Sequence, residues 1–470
     1  LISPAMTPAS FSTLPIAPTQ LEALAGLGYS AMTPVQAQSL PAILQRKDVI
    51  IQAKTGSGKT AAFGIGLLHH LNTRFFGVQS LVMCPTRELA EQVGEAIRQL
   101  ASRMRNIKVV MLCGGKPFGP QRDSLEHGAH IVVGTPGRIQ DHLQRQTLDL
   151  TSVTTFVLDE ADRMLDMGFA EVMATITAAL PKKRQTLLLS ATFPDDIKKM
   201  SRAIQHQPIE VKVDTVLTHD ETVVEQLFFE IQKHERNTAL LALFEHYQPG
   251  NAMVFCNTKK QCAEVAAFLQ EHDIEAAAIH GDLDQRDRDQ VLLQFTNNTS
   301  PVLVASDVAA RGLDIPALAM VVNFELPRDG DTYVHRIGRT GRAGETGQAF
   351  SLVTPSEAPR LRVIEDHLQI NCLCDVLESL NRNPNYQLQG DMTTLQFDAG
   401  RKQKLRPGDI LGALTGDAGL AGDQIGKIKI LDNSSYVAIA RPVLRQAMNY
   451  LAQGKIKGRS IRARHLKLHR

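Results

Sequence analysis

Between Ala53 and Thr60 the chain reads Ala-Lys-Thr-Gly-Ser-Gly-Lys-Thr, directly after the apolar run Val49-Ile50-Ile51 and directly before a helical pattern. That is the setting of a phosphate-binding loop. Thr55, Gly56, Ser57 and Gly58 are the backbone that would wrap phosphate oxygens, the two glycines letting the amides turn inward. The new helix presents its positive end, Lys59 supplies a point charge, and the Thr60 hydroxyl suits Mg²⁺. The usual pattern opens with Gly and this one opens with Ala53. The structural alternative is a Gly-rich turn joining a strand to a helix.

A second group of chemically capable residues follows the apolar run Phe156-Val157-Leu158, which leads into Asp159-Glu160-Ala161-Asp162. Beside a phosphate loop, Asp159 could hold Mg²⁺ and Glu160 could orient or deprotonate a water. The same four residues also fit an acidic helix start, and position alone leaves both readings open. Upstream, Tyr29 and Gln36 flank Thr33-Pro34. A Gln amide can bond the N6/N7 edge of adenine and a Tyr ring can stack on a base, although such a pair is usually a core ring and a surface amide.

These groups need a scaffold that brings them together, and the apolar rhythm supplies one. Runs at Ser80 to Cys84, Lys108 to Leu112, Ile131 to Val133, Thr155 to Leu158 and Thr186 to Leu189 alternate with helical segments. In one of these, Leu89, Val93, Ile97 and Leu100 recur at helical spacing. The pattern predicts an α/β body with a parallel sheet covered on both faces, its ligand site at the carboxyl ends of the strands. Three further strand ends carry Pro85 to Ala90, Gly114-Gly115 and Thr135-Pro136-Gly137-Arg138. Their amides, hydroxyls and arginines suit a sugar-phosphate backbone; each taken alone is also an ordinary capped loop.

After a pause at Thr215 to Thr222, a plausible hinge, the rhythm resumes with runs at Ala252 to Cys256, Ala276 to Ile279, Val302 to Ala305, Met320 to Asn323 and Ala349 to Val353. This second body has no phosphate loop. Its strand ends carry Asn257-Thr258, Gln285 to Arg288, Ser306-Asp307, Arg311 to Asp314 and the basic stretch His335-Arg336-Ile337-Gly338-Arg339-Thr340-Gly341-Arg342. The basic stretch is either a solvated helix face or a source of arginine for the γ-phosphate that the first body lacks.

With 470 residues the chain has room for about three domains. Its net charge of +2 conceals an asymmetry: from Asp391 onward there are 15 Lys or Arg against 6 Asp and no Glu, leaving 36 basic and 43 acidic residues before it. A basic tail on a mildly acidic body points to a polyanion. Residues 1–45 hold no Lys or Arg, and no apolar run approaches the roughly 20 residues of a membrane span. A cytoplasmic protein without a membrane partner is therefore expected. Six cysteines without a Cys-x-x-Cys pair predict free thiols, Cys372-x-Cys374 keeping a small opening for metal or redox chemistry.

Taken in order, Tyr29 with Gln36, Ala53 to Thr60, Pro85 to Ala90, Gly114-Gly115, Thr135 to Arg138, Asp159 to Asp162, Ser190 to Thr192, Gln285 to Arg288, Arg311 to Asp314 and His335 to Arg342 resemble the motif series of the DEAD-box RNA helicases. The resemblance covers roughly residues 10–370, and Ala53 itself matches that family's loop. It implies two RecA-like parallel-sheet domains in tandem, 1–213 and 214–378. Tyr29 and Gln36 would select ATP, Lys59 and Thr60 would bind phosphate and Mg²⁺, Asp159 would hold Mg²⁺ and Glu160 would activate water. The resemblance makes Arg339 and Arg342 arginine fingers and places Asp314 on the ribose. Asp162, Ser190, Thr192 and His335 would couple hydrolysis to domain closure. Arg87, Gly115, Thr135, Arg138, Thr258, Arg288 and Ser306 would hold RNA, Ser306 replacing the family's commoner Thr. A DNA helicase, or an RNA-binding module with a vestigial motor, remains an alternative.

Residues 379–392, rich in Asn, Pro and Gln, read as a linker. Beyond them, strand patterns at Thr394 to Phe397, Lys427 to Leu431, Tyr436 to Ala440 and Ser460 to Ala463 alternate with helices from Asp409 and Val443. The β-α-β-β-α-β order predicts a small RRM-like α+β domain over 393–470. Phe397 and Tyr436 are its only candidate stacking rings and both read better as core. Lys455, Lys457 and Arg459 begin a basic run with no acid, an electrostatic footprint for RNA. The segment Arg406 to Asp417 with Ile425 to Ile428 resembles the tail domain of DbpA-type helicases. That implies recognition of a 23S rRNA hairpin in large-subunit precursors by a monomeric enzyme.

Overall fold

The structure is a computed structural model, and it describes residues 9–53, 56–213, 224–310, 313, 315, 318–341 and 347–466. Thr55, Asp314 and Arg342, the hinge expected at 215–222, and the chain end from Lys467 lie outside the described residues.

The first body opens with α1 (Pro18–Gly26) and α2 (Pro34–Leu44), followed by β1 (Val49–Gln52), α3 (Lys59–His69), β2 (Ser80–Met83), α4 (Arg87–Leu100), β3 (Val109–Leu112) and α5 (Phe118–Glu126). It continues through β4 (Ile131–Gly134), α6 (Pro136–Gln144), β5 (Thr155–Leu158), α7 (Ala161–Asp166), α8 (Ala170–Ala178), β6 (Gln185–Ser190), α9 (Asp195–Ile204) and β7 (Ile209–Lys212). The seven strands form one sheet in the order β3-β4-β2-β5-β6-β1-β7. All its pairs are parallel, as the continuous apolar runs require when helices cover both faces. Edge strand β7 escaped the sequence reading because Ile209-Glu210-Val211-Lys212 exposes three of its four residues and presents no apolar run.

Helix α4 shows how local sequence sets these elements. The Thr86 hydroxyl accepts from Leu89 N (3.2 Å), Glu88 sits in the positive first turn and Arg98 in the negative last turn. Its buried stripe is Ala90, Val93, Ile97 and Leu100.

The second body runs through β8 (Val224–Glu230), α10 (Arg236–Tyr247), β9 (Ala252–Cys256), α11 (Lys259–Glu271), β10 (Ala276–Ile279), α12 (Gln285–Thr296) and β11 (Val302–Ser306). It ends with α13 (Asp307–Ala310), β12 (Met320–Asn323), α14 (Gly330–Ile337), β13 (Gly347–Val353), α15 (Ala358–Leu368) and β14 (Cys374–Asp375). The sheet order is β10-β11-β9-β12-β13-β8-β14, again all parallel. A small third sheet follows, built from β15 (Met392–Phe397), α16 (Pro407–Gly412), β16 (Ile425–Ile430), β17 (Ser435–Ala440), α17 (Leu444–Gln453) and β18 (Ala463–His465). Its order β16-β17-β15-β18 is antiparallel, the expected β-α-β-β-α-β arrangement. The fold is thus two tandem RecA-like α/β domains with an RRM-like α+β domain. The last strand lies a few residues later than expected, because Gly454 and Gly458 shape an intervening turn closed by the Ile456–Arg459 bridge.

The segment read as a linker is a packed strap on the second body. Arg382 makes a bidentate pair with the buried Glu245 carboxylate (2.7 and 3.2 Å), the Tyr386 hydroxyl donates to Pro249 O (2.9 Å), and buried Leu388 bridges Ile274. Polar composition signalled a loop, but not the partners that hold it. The strap delivers β15 against the second body, where Thr394 Oγ1 meets Asn297 Nδ2 (3.2 Å) and Thr299 Oγ1 (2.8 Å). Arg441 pairs with Glu275, and Glu275 also accepts from Gly390 N (2.9 Å). A Cβ at Gly390 would lie 2.1 Å from Asn298 O, so only glycine allows this approach.

All six cysteines are free, and burial pushes the Cys113 and Cys372 thiols up to about 12, which leaves them unreactive. Among the described residues no helix is long and apolar enough to cross a membrane, and no cluster of three His, Cys, Asp or Glu forms a metal cage.

Candidate nucleotide and RNA sites

The order of the first sheet divides its carboxyl edge into two halves. Adjacent strands β5, β6 and β1 end in Asp159-Glu160, Ser190 and the phosphate loop. Adjacent strands β2, β4 and β3 end in the loops carrying Arg87, Thr135 with Arg138, and Gly115. Candidate residues scattered over more than a hundred positions in sequence are thereby sorted into two groups, a candidate nucleotide half and a candidate polyanion half.

In the nucleotide half, Gly56 (φ 83°) and Gly58 (φ 90°) adopt the left-handed backbone that turns the loop into α3. The loop is braced from α2. Thr33 Oγ1 donates to Ser57 O (2.8 Å), Gln36 Nε2 donates to Gly58 O (3.2 Å), and Gln36 Oε1 accepts from Thr33 N (2.9 Å). A Cβ on Gly58 would sit 2.5 Å from Gln36 Nε2. Gln36 is fully buried, so its amide acts first as a strut for the loop, leaving one N–H and spare acceptor capacity for a ligand. Tyr29 is exposed, its ring edge-on to Phe11 at 6.2 Å. Lys59 is buried, with Nζ donating to Ala53 O at the end of β1, and the Thr60 side chain is half-buried beside it.

Asp159 is buried, and burial followed by the like charge of Glu160 raises its carboxyl to about 7, Lys59 pulling the other way. A buried carboxylate held at such a cost is a donor suited to a hard cation, and the Thr60 hydroxyl would add a second oxygen of the kind Mg²⁺ takes. Glu160 has φ 53° and ψ 53° at the start of α7, a left-handed conformation costly for a side-chain-bearing residue. Asp162 is bonded on both carboxylate oxygens within the protein. Its Oδ2 accepts from Ala191 N (3.2 Å), Thr192 N (3.0 Å) and Thr192 Oγ1 (3.0 Å), while Oδ1 accepts from Arg163 N (3.0 Å). Ser190 Oγ donates to Thr192 O (2.6 Å), and Ser190 O accepts from Ala53 N (3.3 Å). A continuous chain of bonds therefore runs from the Asp-Glu-Ala-Asp helix through Ser190–Thr192 to the first residue of the phosphate loop.

In the polyanion half, the Arg87 guanidinium lies over Gly114, where a Cβ would come within 2.9 Å of Nη2. Gly115 has φ 74°, and Arg138 Nη1 donates to Lys116 O (3.0 Å), tying the β3 and β4 loops together. Thr135 sits at the N-cap of α6. In the second body, Thr258 caps α11 after β9, Ser306 ends β11, and Arg288 Nη2 donates to Ala309 O (2.8 Å) from α12 after β10. Those three strands are also neighbours, so the second body repeats the sorting.

Sequence reading missed two positioning residues. Thr33 is one, legible in hindsight only as an N-cap. Arg336 is the other: it is 1% exposed and uses all five N–H groups. Nε and Nη2 bond Asp307 (2.7 and 2.8 Å), Nη1 bonds Asn323 Oδ1 (3.1 Å) and Glu325 O (2.7 Å), and Nη2 also bonds Asn257 Oδ1 (2.9 Å). It ties together the ends of β9, β11 and β12. Within the same basic stretch, Arg339 is buried and His335 half-buried.

In the small domain, Phe397 and Tyr436 are buried. Lys457 Nζ donates to Lys404 O (3.0 Å) and lies 3.3 Å from Asp409, while Arg459 Nη1 donates to Gln403 O (3.4 Å). The 455–459 turn thus joins Arg401, Lys402, Lys404 and Arg406 in one exposed basic surface, with Lys455 exposed at its edge.

A phosphate loop, paired acids and an arginine-rich second body, each at the carboxyl edge of a RecA-like sheet, define a nucleic-acid-dependent NTPase. The family comparisons resolve it further: residues 33–200 match the DEAD/DEAH box helicase family, 235–344 the helicase conserved C-terminal domain and 394–465 the DbpA RNA binding domain. The chain is 50% identical to the ATP-dependent RNA helicase DbpA of Escherichia coli, over 97% of this chain and 100% of that one. It is 37% identical to the DbpA of Bacillus subtilis, over 94% and 96%. Among solved structures, Saccharomyces cerevisiae Dbp5 bound to RNA and ADP BeF3 is similar at TM-score 0.72 and 30% identity, over 78% of this chain and 96% of that one. The chain belongs to the DbpA family of DEAD-box ATP-dependent RNA helicases, enzymes that hydrolyse ATP and act on RNA.

Proposed function

We propose that this helicase separates short RNA duplexes locally and is directed by its C-terminal domain to a hairpin of 23S rRNA in large-subunit precursors, acting as a cytoplasmic monomer with Mg²⁺. Residue roles follow the strand ends of the two parallel sheets and the basic surface of the small domain. Lys59 and the amides around Gly56 to Thr60 bind ATP phosphates, Thr60 and Asp159 hold the metal, and Glu160 takes the proton of the attacking water. Mg²⁺ supplies charge neutralisation of the phosphates when bound. Tyr29 and the remaining capacity of Gln36 select adenine. Arg339 and Arg342 supply transition-state charge, Asp314 meets the ribose, and His335 joins the Asp162–Thr192 network in sensing closure. Arg87, Gly115, Thr135, Arg138, Thr258, Arg288 and Ser306 hold the RNA backbone, and Lys455, Lys457 and Arg459 contribute to hairpin binding.

The observation that carries the reading is the bond chain from Asp162 through Thr192 and Ser190 to Ala53. It joins the hydrolytic acids to the phosphate loop on the very sheet whose other half presents the RNA loops. ATP and single-stranded RNA both favour a closed state, so each raises the affinity for the other, and hydrolysis releases both. Glu160→Gln tests the chemistry: it should bind ATP and RNA with near-native affinity and lose RNA-stimulated phosphate release by at least about a hundredfold. Normal turnover in that variant would overturn the assignment. Crosslinking the full chain to total cellular RNA tests the target, and enrichment of no 23S segment would reject it.

A further inference from the structure

In a parallel sheet every strand enters at the same edge, so the connections leading into β1–β7 form one row on the side opposite the nucleotide and RNA loops. The two rows are separated by strands of four to six residues, about 13–20 Å. The seven entering connections, 45–48, 70–79, 101–108, 127–130, 145–154, 179–184 and 205–208, carry ten Lys or Arg and only two acids, Asp48 and Asp149. This is a local excess, because the chain before Asp391 is acidic overall.

The two acids offset only part of the charge of the ten cations. Asp48 is buried and accepts from Thr186 N and His206 N (2.6 Å each), and Asp149 accepts from Thr151 N and Oγ1. The exposed cations Lys47, Arg74, Arg103, Arg105, Lys182 and Lys183 make no ion pair among the described residues. They are distributed over the entries of β1, β2, β3 and β6. From β3 to β1 the sheet crosses five strand spacings, about 24 Å.

Two aromatic rings stand in this row. Of the chain's 17 phenylalanines only Phe75 and Phe76 are exposed, at 45% and 46%, and they are adjacent at the entry of β2. Their mount is ordered: Phe76 O accepts from Ala129 N (3.0 Å), its ring lies 4.6 Å from His130, and Gly128 (φ 83°) leaves no Cβ where Phe76 O would collide with it at 2.8 Å. Unpaired cations spaced along a groove-length row with exposed rings among them are the components that bind single-stranded nucleic acid by phosphate contact and base stacking. An acidic protein would satisfy the cations and leave the rings without a role.

We infer that the entering edge of the first sheet is a second RNA-binding surface, which holds single-stranded RNA flanking the segment the enzyme acts on. It uses the unpaired cations for phosphates and Phe75 with Phe76 for bases. The inference rests on RNA being the enzyme's partner, and its test separates the two claims. Full-length protein is titrated with a short RNA, then with the same RNA carrying a single-stranded extension of about twenty nucleotides, longer than one typical binding groove. The extension should tighten wild-type binding. Phe75→Ala should remove about tenfold of that gain without changing its salt dependence. Lys182→Ala with Lys183→Ala should lower the slope of log affinity against log salt by about 1.4. In both variants ATPase activity stimulated by the short RNA should stay at the wild-type level, which shows the fold intact. Thiouridine in the extension should crosslink to peptides spanning 70–79 and 179–184.

An extension that adds nothing to wild-type binding, or a gain that survives in both variants, overturns the second surface while leaving the helicase assignment standing. Polyglutamate competing for the extension's site as well as polyuridine does would overturn the assignment to RNA. Absence of stimulation by the short RNA in the wild type would instead sink the helicase reading itself.

Discussion

Arg336→Ala removes a side chain whose five donors join the ends of three strands, and its cost follows from those partners. Asn323 is buried, and the Asp307 side chain is 25% exposed. Removing one member of a buried ion pair costs about 3–5 kcal/mol, because the remaining charge loses its partner. Partial exposure of Asp307 lets water recover some of that loss, which places the expected cost near the lower end, about 3 kcal/mol. For a domain of this size each kcal/mol moves the thermal midpoint by about 2–4 °C, so a fall of about 6–12 °C is expected. Arg336→Lys keeps the charge but replaces a planar fork by one ammonium group, and should recover less than half of the loss. Because Asn257 adjoins Thr258 and Asp307 adjoins Ser306, RNA affinity should fall with stability. The assay is calorimetry of the full chain together with RNA titration. A thermal midpoint within about 2 °C of wild type, less than the shift expected for 1 kcal/mol, would refute the view of Arg336 as a structural hub.

Three further outcomes follow from the geometry. Thr33→Val removes the bond to Ser57 O and the cap of α2, worth about 0.5–2 kcal/mol, so the KM for ATP should rise by about two- to thirtyfold with kcat retained; an unchanged KM means the brace does not shape the loop. Arg441→Ala breaks the pair with Glu275, and with both side chains partly exposed it should weaken docking of the small domain by about 1 kcal/mol, roughly fivefold in the docked ratio. Limited proteolysis of the strap at 379–392 should then accelerate, and an unchanged rate would show the contact to be dispensable. His142, buried against Phe118, has its pKa lowered to about 4, chiefly by burial and then by Arg138. Its folded value lies below its unfolded value, so the stabilisation from keeping it neutral is complete above about pH 6.5 and is lost as pH falls towards 4. His69, His70 and His130 act in the same direction, whereas Asp159, raised to about 7, opposes them. The readout is therefore a difference: the urea midpoint of His142→Gln should fall less steeply than that of wild type between pH 6.5 and 4, and parallel curves would exclude the histidine.

The strands most readily found from sequence were those buried on both faces, such as Leu81-Val82-Met83 and Val254-Phe255-Cys256, because burial on two sides demands continuous apolar runs. Edge strand β7 and the two-residue β14 carry no such demand and left no signal. The strap at 379–392 read as a linker for a related reason: its attachments are Arg382 to Glu245 and Tyr386 to Pro249, partners more than a hundred residues away. Local composition reports the absence of a helix or strand and says nothing about docking.

Motif spacing by itself determined the chemistry of this chain. A phosphate loop, an acidic strand end and an arginine-rich stretch need particular residue types in a particular local order, and those are written consecutively. Only the tertiary structure decided which of these residues brace the others. Arg336 became a hub, Gln36 a strut and Asp162 a bridge, because each role depends on partners brought together by strand order rather than by sequence distance. The same strand order gathered seven separate connections into one basic edge around Phe75 and Phe76. No single connection carries that surface, since it exists only once parallel strands place all their entries on one side.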